Sequence, residues 1–130
     1  MSRLEDAARA VAQHAYAPYS KFAVGAAVEV DGEIYAGVNV ENASYPLSVC
    51  AERNAIAAAV AAGGRHLEAV AVFTHASPPS SPCGGCRQVL RELAADPSHV
   101  TITAINDRGE RRTWTLEQLL PDSFSGRELP

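Results

Sequence analysis

Three cysteines, confined to two short segments, constrain this chain more than any other feature. Cys50 opens the run Cys50-Ala51-Glu52, and the other two lie in Pro82-Cys83-Gly84-Gly85-Cys86. Cys83 and Cys86 are three apart, so on a helix they share one face. Both segments read as first turns of helices, where the macrodipole and unpaired amides favour thiolate over thiol. Cys50 and Glu52 differ by about 200° around an ideal helix, so from mid-helix they could not address one ion. At a first turn they can, because side chains there lean toward the N-terminus. A fold in which the two helix starts meet groups three sulfurs with a carboxylate beside them.

Each piece alone is ambiguous. The Cys83/Cys86 pair fits a redox couple or two buried thiols as well as a metal. Glu52 alone fits a carboxylate stabilised by the first turn of a helix. The joint pattern is far more specific, and the cysteine count separates two kinds of zinc site. A structural zinc closes with four protein ligands, whereas a catalytic zinc keeps one position for water. His14, His66, His75 and His99 stand at no ligand spacing to the cysteines and read as surface or loop histidines.

The remaining composition bounds the setting. A chain of 130 residues makes a single domain, residues 1–130, with a real core. Eleven Lys and Arg against 15 Asp and Glu give a net charge of −4, and no basic run appears. That argues against a nucleic-acid partner. No apolar run reaches membrane-spanning length, and the N-terminus lacks a signal-peptide pattern. An odd cysteine count without a secretory signal points to a reducing, cytoplasmic location.

Ser2 and Glu5 form a capping-box pattern before an amphipathic helix that ends near Pro18. Phe22 to Val30 reads as a strand, and Asp31-Gly32 turns it into a second strand, Glu33 to Val40. A polar loop leads to Cys50–Ala62, an alanine-dominated helix expected to be buried on nearly every face. Leu67 to Thr74 is a central strand, and Ser77 to Pro82 a loop. A third helix spans Cys83 to Ala94, followed by a strand from Val100 to Ile105 and a short one around Trp114. Thr115 and Gln118 box a final short helix. Strand-helix-strand crossovers imply parallel neighbours and the hairpin an antiparallel pair, predicting an α/β fold with a mixed, mostly parallel sheet between helices.

The pattern C-A-E followed about thirty residues later by P-C-x-x-C is a zinc-deaminase signature in its three-cysteine form. Over nearly its whole length the chain resembles the homotetrameric cytidine deaminases that act on free nucleosides. The resemblance rests on PYSKFAVGAAV from Pro18, GVNVENASYPLSVCAERNAI from Gly37, SPCGGCRQVL from Ser81 and LLPDSF from Leu119. It implies a three-layer α/β/α fold on a five-stranded sheet, one Zn2+ per chain held by Cys50, Cys83 and Cys86, and Glu52 as proton shuttle. It further implies that Asn39 and Glu41 hydrogen-bond the ribose, that Phe22 packs on the nucleoside, and that the Ala43 backbone meets the base. Tyr45 and Phe124 would reach the ligand of a neighbouring subunit, and Arg53 would donate to the zinc-bound thiolates.

Taken without the motifs, Phe22 and Phe124 fit core or surface-covering aromatics, and Asn39, Glu41 and Asn42 fit turn residues. Arg53 alone fits a solvated charge, although a guanidinium would offset part of the negative charge of three thiolates. Val38 and Ser44 stand where many relatives have cysteine, and Ser125-Gly126 replaces a Gly-Pro pair after Phe124. The reaction implied is hydrolytic deamination of cytidine and 2′-deoxycytidine in pyrimidine salvage. Three rivals share parts of the pattern. A nucleic-acid-editing deaminase usually carries His at the first ligand position and needs a cationic or aromatic strand path. An aminonucleoside deaminase leaves the ENAS block poorly explained. A non-catalytic zinc module has no use for Glu52.

Overall fold

The computed structural model describes residues 2–130. Five strands form one mixed sheet: β1 (Gly25–Val30), β2 (Glu33–Val38), β3 (Leu67–Phe73), β4 (Thr101–Ile105) and β5 (Arg111–Thr115), in the spatial order β2-β1-β3-β4-β5. Four α-helices accompany them: α1 (Arg3–Val11), α2 (Ala51–Ala61), α3 (Gly84–Leu93) and α4 (Leu116–Leu119).

The sheet is mixed, but it is not mostly parallel. Only β3 and β4 pair in parallel, and the other three pairings are antiparallel. The crossover rule holds for β2-α2-β3, whose strands run in the same direction. Its failure lies in adjacency, because β1 folds back from its hairpin and inserts between β2 and β3, antiparallel to both. The hairpin turn follows from its residues: Asp31 and Gly32 both have positive φ, 51° and 80°, which matches the right-handed twist of the flanking strands.

Strand alternation divides the core in two, making three layers. Ala26, Val28, Val30, Val70, Val72 and Ile102 pack with Ala55, Ile56 and Ala59 of α2 and Leu90 of α3. Ala27, Ala71, Phe73 and Ile105 face the other way, against Ala8 and Ala12. Two glycines let helices lie directly on strands. A Cβ on Gly25 would stand 2.1 Å from the Ala8 carbonyl oxygen, and one on Gly37 2.4 Å from the Ala55 nitrogen.

Of the two predicted boxes, the one at Thr115 forms in full, while at Ser2 only the side-chain cap forms and the Glu5 carboxylate accepts from the Ser2 hydroxyl instead. The Ser2 hydroxyl accepts from the Glu5 amide, and Thr115 and Gln118 cap each other at α4. Helix α2 departs from expectation, since Ala57, Ala58, Val60 and Ala61 are exposed in the single chain. Alanine on every face conceals which face is covered, and among the described residues nothing covers the face of α2 that carries Ala57, Ala58, Val60 and Ala61.

Candidate active site

The two cysteine segments meet where α2 and α3 begin. Cys50 is the N-cap of α2 and Cys83 the N-cap of α3, both with extended backbone and neither making a capping hydrogen bond. A position that normally carries Ser, Thr, Asp or Asn to satisfy helix amides here leaves its sulfur uncommitted. Cys86 lies on the first turn of α3 and is buried. The Cys50 and Cys83 sulfurs are 3.9 Å apart, those of Cys83 and Cys86 3.3 Å, and all three lie within 4.8 Å of one another. Sulfurs at about 2.3 Å around a tetrahedral zinc would be separated by about 3.8 Å. The three cysteines therefore fit that ion and leave its fourth position without a protein sulfur.

The protonation chemistry of the cluster agrees. Burial pushes the Cys50 and Cys86 thiols above their ordinary range, with neighbouring thiols and Glu52 adding to the effect at Cys86. At Cys83 burial also works upward, but hydrogen bonds from the Cys86 backbone and from both other thiols carry the net shift downward. Three crowded sulfurs cannot all ionise without a cation, and a divalent ion supplies the charge that deprotonates them.

Glu52 occupies the first turn of α2 and is 5 % exposed. Burial raises its carboxyl above the ordinary carboxylate range. It lines a cavity of about 270 Å³ together with Phe22, Val24, Asn39, Glu41, Cys50, Val72, Thr74, Ser81 and Cys83. The cavity opens where β3 ends and β1 begins, beyond the carboxyl ends of the parallel strand pair, where open α/β sheets generally bind ligands.

Asn39 and Glu41 reach this wall because the chain around them is stitched on both sides. Val40 exchanges backbone hydrogen bonds with Val49, while the Tyr16 amide donates to the Asn39 carbonyl and the Glu41 amide to the Tyr16 carbonyl. The Asn39 side chain accepts from the Val24 amide at 2.9 Å and donates to the Phe22 carbonyl at 2.7 Å. Glu41 accepts from the Tyr19 and Ser20 amides, each at 3.0 Å, and from the Ser20 hydroxyl. These donors hold the exposed Glu41 carboxylate below its ordinary value, the Ser20 hydroxyl contributing most. Each side chain retains capacity for a ligand: Asn39 has one N–H left and Glu41 one lone pair.

The other candidates stand farther out. Tyr45 is 70 % exposed and lines a second cavity with Tyr19, Ser20, Glu41 and Ser48, its ring edge-on to Tyr19 at 5.9 Å. Ala43 lies in the exposed loop before it. Phe124 is 57 % exposed, and its carbonyl accepts from Gln88 at 3.0 Å. Arg53 is exposed, and the polar neighbours that shift the thiols are the other cysteines and Glu52. His66, His75 and His99 pair with Asp31, Asp107 and Asp96, and among the described residues no histidine joins the sulfur cluster. The sequence reading missed Ser20, Thr74 and Ser81 as wall residues, although Ser20 and Ser81 fall within the conspicuous PYSKF and SPCGGC runs.

Comparison with known proteins agrees with this geometry. The family described as the cytidine and deoxycytidylate deaminase zinc-binding region matches residues 1–112. The chain belongs to the cytidine and deoxycytidylate deaminase family. Within that family, this deaminase is 45 % identical over 118 residues to a cytidine deaminase of Sporosarcina psychrophila, covering 90 % of this chain and 85 % of the relative. A crystal structure of cytidine deaminase from Burkholderia pseudomallei superposes with a TM-score of 0.88 at 46 % identity, covering 95 % of this chain and all of the other. The Mycobacterium tuberculosis cytidine deaminase structure gives 0.79 at 43 % identity, covering 93 % and 94 %. The chain is thus a hydrolytic deaminase with a zinc-binding region, and among the described residues Cys50, Cys83 and Cys86 form a cluster suited to one zinc ion. No helix among the described residues is long and apolar enough to cross a membrane.

Proposed function

We propose that this protein hydrolytically deaminates free cytidine and 2′-deoxycytidine, giving uridine or 2′-deoxyuridine and ammonia. The observation that carries the reading is Glu52: a buried carboxyl with a raised affinity for protons, on a cavity wall shared with two of three clustered sulfurs. A structural zinc module has no need of it. Cys50, Cys83 and Cys86 are the zinc ligands in this reading. When bound, zinc supplies the Lewis acidity that lets water ionise near neutral pH. Glu52 takes the proton of the attacking water and gives it to ring N3, while oxygen adds at C4. It then carries the second proton to the departing amine, so the elements of water are fully accounted for.

The remaining Asn39 and Glu41 hydrogen-bonding capacity suits a sugar hydroxyl, and Phe22 offers a face to the nucleoside. In this reading the Ala43 backbone meets the base, and Arg53 moderates the thiolate charge once metal is bound. The exposed Val60, Leu47, Tyr45 and Phe124 support a homotetramer in which Tyr45 and Phe124 serve neighbouring sites. The setting is cytoplasmic pyrimidine salvage, with no nucleic-acid partner, as the net charge of −4 favours.

The test is ultraviolet-monitored loss of cytidine and deoxycytidine by zinc-loaded protein, with a deoxycytidine oligonucleotide alongside. Both nucleosides should be consumed and the oligonucleotide spared. Turnover of the oligonucleotide alone, or of nothing, contradicts the assignment.

A further inference from the structure

Arg87 follows Cys86 directly on α3. Its half-buried guanidinium uses all three nitrogens. Nε donates to the Pro82 carbonyl at 2.7 Å, Nη2 to the Ser81 hydroxyl at 2.9 Å, and Nη1 to the Leu119 carbonyl at 2.8 Å. Its backbone amide donates to the Cys83 carbonyl at 3.0 Å. Both peptide groups flanking Cys83 are therefore held through their oxygens by one residue. The remaining bonds tie that turn to a wall residue of the cavity and to the end of α4, where the C-terminal segment carrying Phe124 departs.

We propose that Arg87 is a positioning residue that fixes the backbone on both sides of Cys83, and with it the Cys83 sulfur and the Ser81 wall of the cavity. A cysteine at an N-cap lies outside the regular helical ladder, so its φ and ψ need external restraint. Three differently directed acceptors suit a planar fork of donors, and a lysine ammonium on a flexible stem cannot meet all three. Ligand-orienting partners of this kind typically change metal retention by about 10–100-fold when altered. The inference rests on the zinc-ligand role proposed for Cys83.

The experiment is Arg87→Lys, which keeps the charge and the aliphatic stem. It is compared with wild type in zinc release to excess chelator, in the absorption of the cobalt-substituted protein, and in kcat/KM on cytidine. Zinc release should accelerate about tenfold, the cobalt bands should shift, and kcat should fall more than KM changes. Wild-type zinc release with an unaltered cobalt spectrum overturns the proposal. Ser81→Ala guards against poor folding of the first variant. It should speed zinc release about twofold in the wild-type background and add nothing to Arg87→Lys, because the two act through one bond. Equal, additive effects in both backgrounds also overturn the proposal. Absence of any cytidine turnover by wild type would contradict the proposed function and leave the zinc-release comparison readable.

Discussion

Two cavities at opposite ends of the sheet differ in the property that matters for chemistry. The one at the start of β3 and β4, under α1, has a volume of about 460 Å³, against about 270 Å³ for the one beside the cysteines. The larger cavity is lined by Arg3, Glu5, Glu29, Thr101, Thr103 and Arg111, and its one buried charge is already paired, Glu5 with Arg111 at 2.7 Å. The smaller one receives the N-termini of α2 and α3, three uncommitted sulfurs and a buried carboxyl whose proton affinity is raised. Chemistry follows the convergence of helix ends and unsatisfied groups, not volume. Side-chain changes at the cysteine end that leave the metal in place should therefore alter turnover at nearly constant stability, and changes at the α1 end should do the reverse.

The largest separation is expected from Glu52→Gln, which removes proton transfer but keeps shape. Turnover should fall by about 10³-fold, with zinc content unchanged by metal analysis and the melting temperature equal or higher. Stripping zinc with a chelator should abolish activity and lower the melting temperature, both restored on adding zinc back, as calorimetry and assay would record. On the α1 face of the sheet, Gly25→Ala forces a methyl group against the Ala8 carbonyl. Overpacking against backbone should cost about 1–3 kcal/mol or more in denaturant unfolding, with zinc content unchanged by metal analysis.

Arg111→Ala leaves the buried Glu5 carboxylate with the Ser2 hydroxyl as its remaining partner. A loss of about 1–3 kcal/mol is expected, without effect on zinc content. The smallest effect concerns acid. Asp31, Asp107 and Glu110 are held below their ordinary values chiefly by bonds from the Arg65 backbone, His75 and Ser77. Depressed carboxylates stabilise the fold above their unfolded values, so this contribution is lost as the pH falls below about 4. Asp107→Asn should flatten that decline slightly in thermal melts across pH 3–6, a window set by ordinary carboxylate values.

The cysteine end was the more legible in the sequence, because few residue types can hold zinc and their spacing is rigid. The hairpin at Asp31-Gly32 and the helix caps at Ser2 and Thr115 were equally plain, since each is a local chemical requirement. Strand adjacency was not. Nothing in the residues of β1 states that this strand lies between β2 and β3, because that choice is made by packing across the sheet. The covered face of α2 was hidden by its alanines, which give no periodic contrast. The sequence pattern did not single out Arg87 or Arg91, yet Arg91 is only 8 % exposed, donating to the Ser123 hydroxyl and the Ala94 carbonyl. Long side chains that hold carbonyls of remote segments leave no trace in local pattern.

The most direct test of the account is X-ray absorption at the zinc edge of the purified protein, together with its zinc stoichiometry. One zinc per chain, with three sulfurs at about 2.3 Å and a single lighter atom completing the shell, is the predicted result. A fourth sulfur, a shell of histidine nitrogens, or protein that folds and turns over cytidine without zinc would contradict it.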